Sequence, residues 1–451
     1  MRRRRTHLRP GSRRNNEQGI VILLVAVVML FVVGAMAALS IDVVTLYTAR
    51  SEAQLAADSA ALTAARVLAN SGATSDPNAA SDGLMTNAWI LAQAVAIQVA
   101  EQNEVGGRNL TAADVTLPPA PGGTNTNPTV TVRVQRADLP TFFARIWGTK
   151  ILTVAASATA EAYNPSGANA LSGKTIPVAT ACVKPWLLPN IDPSSTTPGS
   201  TIFDPDTGAI NPGSNLLGWS FSSATGKPMS LACGPPTRAS GDCSTPPALP
   251  TPAAWNYFPG DDATTFPHPT RSLPSCTPAL TTNYQESIAG CIERPIACHG
   301  PANIDISNYS SRNTETADAV NCLTHATTTP GDGDQVDLTA AAAPSPPFQF
   351  LAGTGNPVAG VAGKDVLVSS SLVTVPVFDV GTFNSSTGSV QIVGFVQLFL
   401  NPDSIAAPDS GPNSGNVNAT VINMAGCGTG PTGQPILGNG ASPVAVRLIS
   451  P

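Results

Sequence analysis

The residues of this sequence best suited to chemistry are its eight cysteines, all of which lie beyond residue 180. An even number of thiols confined to one part of a chain is typical of disulfide bonds formed in an oxidising compartment. Short spacings make Cys233–Cys243 and Cys291–Cys298 candidates for local bridges, although eight cysteines allow many pairings. The disulfide candidates are Cys182, Cys233, Cys243, Cys276, Cys291, Cys298, Cys322 and Cys427.

Two groups of residues have side chains that bind metal ions in other proteins. Cys322 and His325 have the spacing of a zinc-ligand pair, but the second Cys-x-x-Cys pair of a specific zinc site is missing, so a disulfide is the better interpretation. Asp332, Asp334 and Asp337 place three carboxylates in one turn, and calcium prefers such oxygen ligands. The turn lacks the terminal glutamate of a complete calcium loop. We expect a solvated turn here and keep the three aspartates as a weak calcium candidate.

The sequence contains no complete motif for nucleotide binding or for catalysis by a nucleophilic serine. Gly173-Lys174-Thr175 resembles the end of a phosphate-binding loop, but Ala168 occupies the position of the required first glycine. The sequence has no Gly-x-Ser-x-Gly motif for a nucleophilic serine, and it contains four histidines. We therefore predict a protein that is not an enzyme and that uses no cofactor.

Charge divides the chain into a basic beginning and an acidic remainder. Residues 1–19 contain seven arginines and one glutamate, yet the whole chain has a net charge of −6. An acidic body argues against nucleic acid as a partner, because phosphates require clustered cations. Residues 20–41 contain no charged side chain, and a helix of this length crosses a hydrocarbon core of about 30 Å. Because basic flanks stay in the cytoplasm, we expect a single-pass protein of the cell inner membrane with a cytoplasmic N-terminus and a periplasmic or extracellular bulk.

A cleaved signal peptide is the alternative interpretation of this N-terminal segment. Ala35-Met36-Ala37 has the small residues of a cleavage site behind a basic region. However, the apolar run is longer than that of a usual signal peptide, and the helical pattern continues past Ala37. We favour a retained anchor and leave cleavage near Ala37 open.

Beyond Asp42 the helical pattern continues to about Asn70 and carries a ladder of alanines. Alanine has the highest helix propensity, and small side chains at four-residue spacing let a second element approach closely. Docking on a partner subunit and packing on the chain's own domain are equally compatible with this pattern. The candidate docking residues are Ala49, Ala53, Ala57, Ala61 and Ala65.

An ordered polar series accompanies the apolar run. It consists of Gly19, Asp42, Tyr47, Arg50, Gln54, Asp58 and Leu62. With the basic stretch before it, this series resembles the N-terminal region of TadG-like proteins of the Tad/Flp pilus-assembly family. Pro140-Thr141-Phe142-Phe143 is similar to the segment that closes the first exported module of that family. The resemblance covers about a tenth of the chain, and it implies one membrane span that docks on other pilus-assembly or envelope subunits through the N-terminal helix.

The chain departs from the family pattern in two respects. Many TadG-like proteins carry an Asp-x-Ser-x-Ser metal site, and TadE-like proteins carry a glutamate inside the apolar stretch. The sequence contains neither feature. Membership of the broad family is therefore better supported than any one subfamily role.

The fold class predicted from these patterns is α+β. A transmembrane helix is expected to continue into a pseudopilin-like helix-plus-sheet module, followed by a β-rich, disulfide-stapled exported domain. The 42 prolines and 39 glycines favour short strands and loops. The predicted divisions are a basic tail (1–19), a transmembrane helix (20–41), the module (42–163), a linker (164–181) and the exported domain (182–451).

Hydrophobic patterns place the main elements within these divisions. In the module they predict a second helix over about 79–105, strands over 129–134 and 151–162, and a short helix over 140–147. In the exported domain they predict strands over 366–378, 390–400 and 417–424. The stretch between Cys233 and Cys322 is expected to be loop-like.

The function favoured by these patterns is that of a non-catalytic, membrane-anchored structural or assembly component of a Tad/Flp-like pilus or secretion system. The alternative is an anchored or secreted surface-binding module, such as an adhesin that recognises a carbohydrate or polymer. Aromatic side chains at Trp186, Trp219, Trp255 and Tyr257 could stack on sugars in that case, although single aromatics are more often core residues. An envelope hydrolase is the least favoured hypothesis.

Overall fold

The protein folds around one very long helix, two larger sheets and several small β-pairs. The computed structural model describes residues 15–76, 83–118, 127–148, 151–167, 176–197, 199–221, 229–231, 256–262, 264–266, 275–291, 294–307, 311–325, 332–336, 348–366, 368–401, 415–428, 436–438 and 442–450. The helices found in these ranges are α1 Asn15–Asn70, α2 Leu84–Glu101, α3 Asn283–Ala289 and α4 Arg312–Thr324. The strands are β1 Glu104–Val105, β2 Arg108–Asn109, β3 Val115–Thr116, β4 Thr129–Pro140, β5 Ile151–Tyr163, β6 Val178–Thr180, β7 Trp186–Pro189, β8 Ser220–Phe221, β9 Ser230–Leu231, β10 Asn256–Pro259, β11 Pro301–Asn303, β12 Gln335–Val336, β13 Phe350–Leu351, β14 Leu372–Phe378, β15 Ser389–Leu400, β16 Ala419–Gly426, β17 Ile436–Gly438 and β18 Ala445–Ser450.

Helix α1 has 56 residues and is therefore about 84 Å long at 1.5 Å per residue. Its first half carries the apolar segment, residues 20–41, whose large side chains are exposed; Leu30 and Phe31 are 75% and 74% exposed. Among the described residues, α1 alone is long and apolar enough to cross a membrane. One face of its second half is buried by the rest of the chain, so the two halves of one continuous helix have different surroundings.

The second half of α1 belongs to a small α+β module that also contains α2 and a four-stranded antiparallel sheet. The strand order of this sheet is β18-β5-β4-β3. Alternation along β4 turns Val130, Val132 and Val134 inward, and all three are fully buried, as expected for a strand with one covered face. Helix α2 turns a row of alanines toward α1, so the core of this module consists mainly of alanine and valine.

The remainder of the chain forms a larger β-rich body. Its main sheet has the order β8-β16-β15-β14-β7-β10-β9, with β11 also paired to β15. Large aromatic residues fill its core, among them Trp186, Tyr257, Phe258 and Phe395, each no more than 1% exposed. Helices α3 and α4 pack against each other beside this sheet.

Three disulfides cross-link the described part of the body. They join Cys182 to Cys291, Cys276 to Cys322 and Cys298 to Cys427, with Cα–Cα distances of 4.6, 5.4 and 5.2 Å. The predicted local bridge Cys291–Cys298 is therefore wrong, because the fold brings each of these residues to a cysteine more than 100 positions away. Cys233 and Cys243 lie outside the described residues.

The α+β prediction is confirmed, as are the long helix and the main strands. The expectation of a loop-like stretch between Cys233 and Cys322 is corrected by α3 and by most of α4, which lie inside it. Helix α4 has few apolar residues, but Ala319 and Val320 are fully buried, so a narrow apolar face is enough to hold it on the body.

The structure joins the two predicted domains more closely than the sequence divisions imply. Strand β18 lies far downstream in the predicted exported domain, yet it pairs with β5 of the module over Ala445–Ser450. Across this pairing, Arg447 forms an ion pair with Glu161 at 2.9 Å. In the predicted linker, Asn164 is fully buried, and β6 pairs in parallel with β17. These residues of the predicted linker are packed parts of the fold.

Candidate functional site: the two junctions of the long helix

Asp42 ties the end of the apolar segment to the module. It is the first charged residue after residues 20–41, and it is 4% exposed. Its carboxylate accepts hydrogen bonds from the backbone N–H groups of Phe142 (3.0 Å), Phe143 (3.0 Å) and Ala144 (2.6 Å). Three backbone donors on one carboxylate fix both the helix and the connection between β4 and β5, and we call this arrangement the Asp42 clamp.

Electrostatics favour the ionised form of Asp42. Burial opposes ionisation, but the three backbone hydrogen bonds together hold the pKa of this carboxyl below its usual value. The donors lie at the start of a 3₁₀ turn, Ala144–Trp147, where free N–H groups favour a negative charge. The three donors use both carboxylate oxygens, and asparagine would place a donating NH₂ group at one of these two positions, so a carboxylate suits the clamp better than an amide.

Further up α1, two other polar residues of the series contact the sheet or each other. The Nε2 atom of Gln54 donates to Asp58 Oδ1 at 2.8 Å and to the carbonyl of Ser157 in β5 at 3.2 Å. Nearby, the Glu52 carboxylate accepts from the backbone N–H of Gly106 at 2.6 Å. These contacts continue the attachment begun by the Asp42 clamp along the same helix.

The other residues of the polar series lie elsewhere on the helix. Tyr47 is 70% exposed, Arg50 is exposed, and Gly19 lies exposed at the start of the apolar segment. Leu62 is partly buried against the module core. The series therefore has an inward face that holds the module and an outward face that remains accessible.

The alanine ladder is buried inside the chain's own module. Its five alanines are between 0% and 1% exposed, and α1 packs there on α2, β4, β5 and β18. The ladder is therefore covered, and the hypothesis that it docks on a partner subunit needs correction. The physical basis of the pattern is unchanged: small side chains allow a close approach, here between a helix and a sheet of the same chain. The residues concerned are Ala49, Ala53, Ala57, Ala61 and Ala65.

The C-terminal end of α1 makes a second junction, with the main sheet of the body. Just beyond the helix, the Ser75 hydroxyl donates to Asn423 Oδ1 at 2.6 Å and also contacts both backbone groups of Met424 in β16. The Asn423 amide donates to the carbonyl of Ala69 in the last turn of α1. Ser75 and Asn423 are at most 2% exposed.

Other buried amides complete this second junction. Asn164 donates to the carbonyls of Thr74 (3.0 Å) and Met424 (2.8 Å), and Gln397 donates to Asn70 at 3.4 Å. Gly72 has a φ of +83°, and a side chain there would meet Ile422 O at 3.2 Å. Buried polar networks of this kind fix one relative arrangement of the elements they join.

The calcium candidate is only partly described. The Asp334 carboxylate is 3% exposed and accepts hydrogen bonds from Gly353 N, Asn356 Nδ2 and Ser369 Oγ at 2.5 to 3.1 Å. Asp332 accepts from Thr354 at 2.6 Å, and Asp337 lies outside the described residues. Within the described ranges, no group of three or more His, Cys, Asp and Glu side chains is placed to hold a metal ion. Protein donors thus occupy Asp334.

Two buried cations of the body are engaged by protein groups. Lys184 Nζ donates to the carbonyls of Ile288 (2.6 Å) and Gly290 (2.9 Å) at the end of α3, and burial lowers its pKa to about 7. Arg312 forms ion pairs with Asp305 (2.5 Å), Asp262 (3.1 Å) and Glu315 (2.5 Å).

The carboxyl of Asp262 titrates in an unusual range. Burial raises the pKa of this carboxyl to about 6, against the opposing effect of the Arg312 guanidinium. Sequence reasoning missed this cluster, because its members come from three segments with no common motif.

The aromatic residues considered for sugar stacking do not form an exposed platform. Trp186 and Tyr257 are fully buried in the core of the body, and Trp219 is partly buried against that core. Trp255 lies outside the described residues. A cleft of about 410 Å³ does lie where α1 and α2 face the segment around β13, and it is lined largely by apolar side chains such as Leu91 and Val95.

A long helix whose apolar half is exposed, and whose other half is clamped to a small α+β module, is the architecture that the structure defines. Residues 19–67 match a protein-family model described as putative Flp pilus-assembly TadE/G-like. The matched residues contain the apolar segment, the alanine ladder, Asp42 and Gln54. No curated protein and no solved structure shows a significant match to the chain. The resemblance seen in the polar series is thus confirmed for this N-terminal region.

Proposed function

We propose that this protein is a non-catalytic, membrane-anchored structural or assembly component of a Tad/Flp-like pilus or secretion system. The observation that supports this best is the Asp42 clamp, in which a residue of the family-matched region fixes the apolar segment to a folded module. A flexible linker would let the anchor and module move independently. The clamp instead holds the module at one position on the helix, as we expect of a subunit that assembles with others in a fixed arrangement.

The proposed orientation follows from charge and from the cysteines. Residues 1–19 remain in the cytoplasm, residues 20–41 cross the inner membrane, and the module and body lie in the periplasm or outside the cell. The three disulfides of the body support an oxidising compartment for that part. The pairing of a long helix with an antiparallel sheet is also the general plan of pseudopilins, an analogy at the level of the fold.

The outward face of α1 is the surface that we propose for contacts with other subunits. Tyr47 and Leu55 are 70% and 65% exposed, and the exposed Arg50 lies three residues after Tyr47, where side chains of a helix are neighbours. Two of these three belong to the polar series of the family. Because the alanine ladder is covered by the module, a partner can reach α1 beyond the apolar segment only through this outward face.

Loss of pilus or secretion function on gene deletion is the first test. We expect the deletion strain to lose pili in electron micrographs or to lose secretion. Full-length protein should restore them, and a form in which a cleavable signal peptide replaces residues 1–41 should not. Normal assembly in the deletion strain, or full rescue by the unanchored form, would contradict the proposal.

A surface variant tests the proposed partner face. Replacing Tyr47 and Leu55 together by serine should reduce co-purification of pilus-assembly subunits, since both side chains are exposed and the fold does not depend on them. Replacing Ile90, which is 60% exposed on α2, by serine is the matched control and should leave co-purification unchanged. Equal recovery of subunits with both variants would rule out this face.

Retention of the anchor can be measured directly. Membranes extracted with alkaline carbonate should keep the protein, and its intact mass should correspond to the full-length chain. A soluble product that begins near Ala38 would instead show a cleaved signal peptide, and a secreted surface-binding module would then become the leading hypothesis.

A further inference from the structure

We propose that residues 141–148, which follow β4, and Ile151, the first residue of β5, form a membrane-contacting loop, in which Phe142 and Ile151 enter the outer lipid interface and Arg145 binds lipid phosphates. This inference rests on the proposed function, because it requires residues 20–41 to span the bilayer. Beyond a single-helix anchor, it assigns a second contact between the exported module and the lipid surface.

The position of the loop relative to the bilayer follows from the Asp42 clamp. As a helix, the 22 residues 20–41 extend about 33 Å, which matches a hydrocarbon core of about 30 Å. Asp42 therefore lies at the outer edge of that core. Because its carboxylate is 2.6 to 3.0 Å from the backbone nitrogens of residues 142–144, those residues lie at the same level, among the lipid headgroups.

The burial pattern of α1 places this contact still closer to the lipid. Ala38, one turn before Asp42 and within the apolar segment, is only 8% exposed. The 3₁₀ turn Ala144–Trp147 packs against α1. One face of the helix is therefore already covered before the apolar segment ends, so the module reaches down to the headgroup layer.

The exposed side chains of the loop suit this location. Phe142 and Ile151 are 63% and 61% exposed, although the loop is held firmly by the clamp. Large apolar side chains next to a basic residue are typical of segments that lie at a lipid interface, where rings sit at the headgroup level and cations meet phosphates. The exposed Arg145 supplies that cation between them.

A fluorescence experiment on full-length protein in nanodiscs tests the proposal. A dansylalanine replaces, one at a time, Phe142 in the loop, Phe31 in the middle of the apolar segment or Leu55 on the exposed face of α1. The nanodiscs contain phosphatidylethanolamine and phosphatidylglycerol, with or without a mixture of two nitroxide lipids, one labelled near the headgroup and one labelled near the middle of the acyl chain. All three native side chains are exposed, so the substitutions should leave the fold intact.

We expect the nitroxide lipid to remove roughly half of the emission or more at positions 31 and 142. At position 55, about 20 Å above Asp42 along the helix, we expect little loss. Quenching at 31 without quenching at 142 would overturn the loop contact and leave the anchor in place. Quenching at neither position would overturn the anchor as well. Equal quenching at 142 and 55 would also overturn the proposal, since the module would then lie flat on the membrane.

Discussion

The module and the body of this protein are stable for different physical reasons. In the module, alanines on α1 and α2 let the backbones approach closely, and valines of β4 fill the remaining space. In the body, large aromatic side chains fill a wider core, and three disulfides join distant segments. Small side chains demand a precise fit, whereas large ones and covalent bonds tolerate a less regular backbone. The body has a proline-rich and glycine-rich sequence, and large core side chains and disulfides suit the irregular backbone that such a sequence forms.

Breaking a disulfide should have the largest effect on the free energy of unfolding. It should destabilise the body and leave the unfolding of the module nearly unchanged. Replacing Cys298 and Cys427 by serine opens a bridge between residues 129 positions apart, and we expect a loss of about 5 kcal/mol from the body, because the unfolded chain gains that freedom. Guanidinium unfolding would be followed by circular dichroism at the helix band for the module and by tryptophan fluorescence for the body, in a background where Trp89 and Trp147 of the module are replaced by phenylalanine.

The matched control for this experiment is the bridge between Cys276 and Cys322, which spans 46 positions. Its removal should cost about 1 kcal/mol less on the same argument. If the helix signal shifted as much as the fluorescence in the Cys298/Cys427 variant, the module and body would unfold as one unit and the distinction between them would fail.

Adding bulk to the alanine ladder should damage the module while sparing the body. Ala57 is fully buried where α1 packs on the sheet, so Ala57→Leu would force the helix away from β4 and β5 and cost about 3 kcal/mol. Ser51→Leu adds similar bulk on the exposed side of the same helix and should change little. A tolerated leucine at position 57 would mean that the close approach is not what stabilises the module. Thermal unfolding followed at the helix band measures both variants.

The buried network between the two regions should contribute less than either core. Asn423→Ala removes the partner of Ser75 and of the Ala69 carbonyl, and unsatisfied buried groups cost about 2 kcal/mol. We expect the two unfolding transitions to move apart, since the network couples them. Asn215→Ala, at an exposed asparagine of the body, is the control. Unchanged coupling in Asn423→Ala would show that the remaining contacts, such as the pairing of β18 with β5, hold the regions together without this amide.

A pH scan should give the smallest effects, with opposite signs in the two regions. The pKa of Asp262 is raised to about 6 when folded, so the folded body binds an extra proton and gains stability as pH falls from about 6 toward 4. The pKa of Asp42 is lowered, so its contribution to the module is complete above the usual value of 3.8 and is lost below it.

The matched variants for the pH scan are Asp262→Asn and Asp42→Asn. Each should reduce the pH dependence of one region and leave that of the other unchanged, as measured by the two spectroscopic signals between pH 3 and pH 7. A body whose stability does not change between pH 4 and pH 6 would contradict the assignment to Asp262.

Local patterns in the sequence predicted most of the main elements. The uninterrupted apolar and alanine-rich run predicted α1, and alternating valines predicted β4, because periodicity follows directly from helix and strand geometry. The alanine pattern alone could not show what covers these residues. Small residues at four-residue spacing are expected whether the helix packs on a partner subunit or on a sheet of its own chain. Burial in the structure decides this for Ala57.

Long-range contacts could not be predicted from the sequence. The polar series identified Asp42, but nothing near Asp42 indicated that its partners are backbone groups of residues 142–144. The pairing of Cys298 with Cys427 and the contact of Ser75 with Asn423 also join segments that lie far apart. These contacts depend on the complete topology, in which residues meet because larger elements bring them together.

The pairing of β18 with β5 has a consequence for the order of assembly. In the orientation proposed above, β5 reaches the far side of the membrane long before β18, because about 280 residues separate Tyr163 from Ala445. Until then, the segment of β5 that β18 later pairs with, Thr159–Tyr163, presents an open hydrogen-bonding edge, and such edges pair with other strands. β18 can pair with this edge only after the chain has been translocated as far as residue 450. An unpaired edge would therefore distinguish an incompletely translocated chain from a complete subunit before either joins an assembly.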